Sequence, residues 1–192
     1  SCSSYIPSII IGGANNTLLG WTGSATISGG YNNTISGGYS FIGGGGFNYV
    51  CNSANSMIGA GYSNYLYQSY SSGILFGTNN TICCSSLSTI TAGYQNNITC
   101  SSYGFIGGGA GNTASGNYMS TISGGKNNTS SAYASTVGGG NGNTASGVGA
   151  ISAGGQSNTT SGTFSTISGG NLNTGAGFFN TIGGGFTNSG TS

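Results

Sequence analysis

Residues 26–38 read TISGGYNNTISGG, so the word TISGG occurs twice, eight residues apart. A chain that repeats itself at that interval invites a search for a longer period before any local assignment. Taking the apolar residue ahead of each glycine pair as position 0 gives Ile10, Ile27, Ile42, Ile58, Ile74, Ile90, Ile106, Ile122, Val137, Ser152, Ile167 and Ile182. The gaps between them are 17, 15, 16, 16, 16, 16, 16, 15, 15, 15 and 15 residues. Only Ser152 breaks the apolar rule, and Ile151 beside it suggests a local slip of one residue.

Three further columns hold the alignment. Position +3 is glycine in all twelve repeats, from Gly13 and Gly30 to Gly185. Position +6 is asparagine in all twelve: Asn16, Asn33, Asn48, Asn64, Asn80, Asn96, Asn112, Asn128, Asn143, Asn158, Asn173 and Asn188. Position +8 is a second apolar column, Leu18, Ile35, Val50, Leu66, Ile82 and Ile98, which shrinks to Ala114, Ser130, Ala145, Thr160, Gly175 and Gly190. The two copies of TISGG in residues 26–38 are therefore two walls of one coil.

Short β-branched runs punctuated by Gly and Asn read as strands and turns. No segment carries a 3.6-residue apolar period, and glycine recurs too often for helices. The expectation is an all-β, parallel β-solenoid of about twelve coils of 15–16 residues with two short strands per coil. Residues 1–9 form a lead-in, and residues 10–192 form one repeat domain. At about 4.8 Å per coil the rod would be about 58 Å long. Gly at +2 and +3 would supply unusual backbone angles or room where coils crowd. Asn at +6 would take a left-handed turn and form a structural ladder from coil to coil. The chain stops in mid-repeat at Ser192, which predicts a segment of a longer fibre, or a unit that stacks or oligomerises.

Composition narrows the function. The 192 residues include 42 Gly and one Pro, and Lys126 is the only charged side chain. Ordinary domains are about a quarter charged. Ile, Thr, Tyr and Phe are too abundant for a disordered chain, and there is no collagen period. A net charge of +1 removes the electrostatic case for nucleic acid or an anionic membrane. No stretch approaches the length of a transmembrane helix, so no membrane insertion is expected. Without a carboxylate or an imidazole, there is no general acid or base apart from Lys126, and "SGGKNN" around Lys126 lacks the spacing of a phosphate loop. Neither a catalytic role nor a cofactor is expected. Hard or histidine metal sites lack ligands, and no C-x-x-C pair is present.

The unit GNTASGNYMSTISGGKNNTSSAYASTVGGGNGNTASG, residues 111–147, resembles the head repeats of YadA-like trimeric autotransporter adhesins. Similar Gly-Asn-Thr-Ala-Ser-Gly stretches resemble repeats of phage and large-virus fibre proteins. The resemblance covers almost the whole chain and is strongest after residue 106. It implies a left-handed parallel β-roll, three chains side by side, and display on a cell surface for attachment.

Candidate site residues follow from the columns. Cys84 and Cys100 both fall at +10 in adjacent coils, about 5 Å apart and within disulfide reach; a staple and a pair of free thiols are the two readings. Seven glycosylation sequons occur, at Asn15, Asn32, Asn79, Asn97, Asn127, Asn128 and Asn158, and matter only after passage through a eukaryotic secretory pathway. The pairs Thr113/Ser115, Thr129/Ser131, Thr144/Ser146 and Thr159/Ser161 would form two outward hydroxyl rows, an array similar to that of insect-type ice-binding proteins. Tyr39, Tyr70, Tyr103, Tyr118, Tyr133, Phe164 and Phe178 recur just before the anchors, where they would stack on sugars or pack on a partner chain.

The sequence thus predicts a non-catalytic structural or adhesive module of an extracellular fibre, spike or surface filament on a cell or virion. The alternatives are an ice-binding solenoid and a carbohydrate-binding fibre tip. The expected partners are further copies of the chain, as a homotrimer or an end-to-end filament, and a host-surface or glycan ligand.

Overall fold

The computed structural model describes residues 7–20, 23–116 and 118–191, and these contain strands and turns without a helix. Each coil gives one strand to each of two sheets. The first sheet runs from Ile9–Ile10 through Thr26–Ile27 and Phe41–Ile42 to Thr181–Ile182. The second runs from Thr17–Leu18 through Thr34–Ser36 and Tyr49–Cys51 to Ser189–Gly190. Both sheets have twelve strands, and every strand pairs in parallel with the strand one coil away. The chain is a parallel β-solenoid.

Register follows the columns. Ile42 lies between Ile27 and Ile58 in one sheet, and Val50 between Ile35 and Leu66 in the other. Successive side chains of a strand alternate sides, so Ile90 is buried while Thr89 stays half-exposed. The inward residues of both sheets meet in one narrow core. Each isoleucine withdrawn from water there contributes roughly 1.5–3 kcal/mol, but only while the coils above and below cover it.

The turns correct one expectation. The left-handed residue between the two strands is at +5, not at the +6 asparagine. All twelve +5 residues have positive φ, from Asn15 (55°) and Asn32 (52°) to Leu172 (60°) and Thr187 (55°). The asparagine that follows turns inward and is buried in every coil from Asn33 to Asn173. A left-handed residue at +10 accompanies four of the five 16-residue coils. Asn52, Gln68, Cys84 and Cys100 at +10 have φ of 48–54°, each directly after a three-residue strand. In these coils the sixteenth residue is accommodated as this extra corner, which projects outward and leaves the core register intact.

Two buried serine columns lie beside that corner, and the sequence reading passed over them. Ser56, Ser72 and Ser88 donate through Oγ to the carbonyls of Ser69, Ser85 and Ser101 one coil on, at 2.8–2.9 Å. The backbone N–H groups of Ser69, Ser85 and Ser101 donate to Oγ of Ser53, Ser69 and Ser85, at 2.9–3.1 Å. Their signal was the recurrence of Ser every 16 residues, which resembles ordinary turn composition.

The suggested slip at Ser152 does not occur. Ser152 is buried in register between Val137 and Ile167, and Ile151 faces outward. Gly155 and Asn158 keep their places in that coil, so the shared backbone pattern holds the register against the apolar preference of one side chain. The hydroxyls of Ser152 and Thr160 are buried without a hydrogen-bond partner. Thr160 sits between Ala145 and Gly175 in its sheet. Thr160→Val keeps the shape and removes the orphaned hydroxyl, so it is expected to stabilise the protein by about 1 kcal/mol in urea denaturation. A loss of stability would show that the hydroxyl has a partner.

Candidate functional site

The asparagine column is built into the scaffold. The backbone N–H of Asn33 donates to Oδ1 of Asn16 at 3.0 Å, and the same step recurs at every coil up to Asn188, whose N–H donates to Asn173 Oδ1 at 2.9 Å. Each Nδ2 reaches toward the same following coil and donates to its +3 glycine carbonyl, as in Asn64 to Gly77 at 2.8 Å. One carboxamide therefore satisfies two backbone groups of the coil that follows, an N–H and a carbonyl, where an unpaired polar group would cost about 1–3 kcal/mol. These residues hold the rod together and offer nothing to a ligand.

The ladder also corrects the glycosylation candidates. Asn128 and Asn158 are fully buried. Nδ2 of Asn128 donates to the carbonyls of Gly124 and Gly140, both at 3.0 Å, and Nδ2 of Asn158 donates to Gly154 at 2.9 Å and Gly170 at 3.0 Å. A glycan would need that nitrogen, so neither residue is available in the folded chain. Asn15, Asn79 and Asn127 at the +5 corner are exposed, and Asn32 and Asn97 are half-exposed.

Of the two readings for Cys84 and Cys100, the structure has the free thiols. Cys84 and Cys100 are exposed free thiols, and Cys51 and Cys83 are also free; Cys2 lies outside the described residues. Cys84 Sγ turns toward its own neighbour and the preceding coil, lying 3.2 Å from Cys83 Sγ and donating to Gln68 Oε1 at 3.7 Å. Burial first, then the hydrogen bond with Cys84, pushes the Cys83 thiol up to about 11. A raised acid favours its protonated form in the fold, so this contribution to stability is full below about pH 9 and is lost as pH rises toward 11. Iodoacetamide at pH 8.5 should label the exposed Cys84 and Cys100 before Cys83, and Cys83 labelling should accelerate up to about pH 11. Peptide mass spectrometry over time would read the order.

The Thr and Ser rows face outward. Thr113, Thr129, Thr144, Thr159 and Thr174 are in register from strand to strand and half-exposed. Ser131, Ser146 and Ser161 are exposed, and Ser115 is half-exposed. The rows stop in the middle of the second sheet, where Tyr49 and Tyr65 stack at 5.2 Å with Tyr67 beside them at 6.0 Å. A hydrogen bond with Cys51, then burial, holds the Tyr49 phenol above its ordinary value.

The seven aromatics ahead of the anchors are all exposed, and several touch one another along the edge. Tyr118 lies 4.9 Å from Tyr103 and 6.1 Å from Tyr133 between ring centres, and Phe164 lies 5.6 Å from Phe179. Sequence reasoning missed a second aromatic run at the opposite turn, where Phe47 packs edge-on between Tyr31 and Tyr62 at 5.4 and 5.3 Å. Its members alternate between +4 and +5, so no single column revealed them. Lys126 is exposed at +4 between Ala110 and Asn141. Among the described residues no three His, Cys, Asp or Glu side chains converge on a point that could hold a metal ion. No protein-family model matches the chain, and no curated protein is significantly similar to it.

Proposed function

We propose that the chain is a structural and adhesive repeat module of an extracellular fibre, spike or surface filament, working without catalysis. One observation carries this reading: the asparagine ladder runs unbroken from Asn16 to Asn188, tying each coil to the next with buried hydrogen bonds. Such a stack suits a stiff spacer on which surface residues recur once per coil. With Lys126 as its only charge, its cohesion owes nothing to ion pairs. The resemblance to YadA-like adhesin heads and to viral fibre repeats supports display at a cell or virion surface.

Self-association belongs to this proposal. Both turn edges present exposed rings, among them Tyr103, Tyr118 and Phe164 on one side and Tyr31, Phe47 and Tyr62 on the other. A second uncharged copy can cover them without electrostatic penalty. Light scattering over a range of concentrations is expected to give a discrete particle of three 18.7 kDa chains. A stable monomer throughout would count against the fibre reading, and open-ended growth would replace the trimer with a filament.

A further inference from the structure

We infer that the chain carries a neutral-carbohydrate subsite where its coil length changes. The coil anchored at Ile27 has 15 residues and the next two, anchored at Ile42 and Ile58, have 16. The shorter coil lacks the outward corner and carries Gly37 and Gly38 there, with Gly37 packed directly on the Ser53 backbone. Asn52 and Gln68 form the corners of the next two coils and line the gap. The result is a shallow groove of about 350 Å³ crossing three coils, lined by Ser36, Asn52, Gln68 and Tyr70 over a glycine floor.

The lining indicates the ligand class. Oγ of Ser36 is buried without a partner. Asn52 and Gln68 are exposed carboxamides, each offering a donor and an acceptor to the vicinal hydroxyls of a sugar. Tyr70 is exposed and supplies an aromatic surface for the C–H face of a pyranose. Lys126, the only formal charge, is four coils away, about 19 Å at the solenoid rise. An anionic ligand would find no counter-charge here, and a peptide would find no free strand edge in mid-sheet. A neutral oligosaccharide satisfies the groove's exposed carboxamides.

This inference rests on the adhesive part of the proposed function and names its ligand class. Saturation-transfer NMR on the full chain, with cellotriose, mannotriose and triacetylchitotriose at millimolar concentration, tests it. At least one sugar should receive saturation from the wild type. Tyr70→Ala should weaken that sugar about tenfold and Asn52→Ala about fivefold, while Tyr133→Ala on the same edge leaves binding unchanged. Absence of transfer to all three sugars would overturn the subsite. So would binding that survives Tyr70→Ala but falls with Tyr133→Ala, which would place the sugar on the aromatic edge. Neither result bears on the mass of the assembled particle, so failure of the subsite and failure of the fibre reading remain distinguishable.

Discussion

Gly77→Ala is expected to cost about 3–5 kcal/mol and to open the coils on both sides of it. Gly77 holds φ at +114°, a conformation that L side chains resist, and a methyl group there would run into the carbonyl oxygen of Gly93 in the next coil. The same methyl would lie 2.6 Å from Asn80 Nδ2 and 2.8 Å from the Gly93 nitrogen. None of these neighbours can retreat cheaply, because each belongs to the hydrogen-bonded stack. The Gly77 carbonyl itself accepts from Tyr62 N–H at 3.0 Å and from Asn64 Nδ2 at 2.8 Å, so moving the backbone would strain two more bonds. Gly44→Ala is the control. Nothing lies within 4 Å of the added carbon and φ is ordinary, so it should fall within about 0.5 kcal/mol of wild type. Urea denaturation of the two variants reads the contrast. Equal stabilities would show that the +3 column tolerates side chains.

Asn64→Leu is expected to cost about 2–4 kcal/mol, although it adds an apolar side chain to a fully buried position. Oδ1 of Asn64 accepts from the Asn80 backbone N–H at 3.0 Å and from Asn80 Nδ2 at 3.1 Å. Its Nδ2 donates to Asn48 Oδ1 at 3.1 Å and to Gly77 at 2.8 Å. Leucine leaves the Asn80 N–H buried without an acceptor, and that orphan outweighs the gain in apolar contact. Asn64→Asp separates shape from hydrogen bonding. It keeps the acceptor for Asn80 but turns oxygen toward two acceptors, Asn48 Oδ1 and the Gly77 carbonyl. The protonated acid can still donate once, whereas the carboxylate cannot. The folded-state pKa of that variant is therefore raised above the ordinary carboxylate range, and its stability falls as pH rises from about 4. Thermal melts at pH 3 and pH 7 should show the Asp variant nearer to wild type at the lower pH. A pH-independent deficit would place the loss in packing instead.

The two variants explain why so thin a core suffices. Each coil buries little apolar surface of its own, and Ser130, Ser152, Thr160 and Gly175 replace hydrocarbon in the later coils. The asparagine ladder continues past them unchanged to Asn188. Hydrogen bonds repeated at every coil tolerate the weaker packing.

What the sequence determined by itself was whatever repeats with the coil. Ile at position 0, Gly at +3, Asn at +6 and an inward residue at +8 announce two strands per coil and a parallel stack, because alternation and period are properties of the chain alone. Tertiary structure decided what depends on a neighbour 12–17 residues away. It placed the left-handed corner at Asn32 rather than Asn33, since the second asparagine is claimed by Oδ1 of Asn16. It buried the serines at positions 53, 69 and 85, whose partners lie in adjacent coils. It turned Cys84 toward Gln68 and away from a disulfide, and closed Asn128 and Asn158 to modification. A side chain's type states what it can bond; only the coil stacked against it decides which bond it makes.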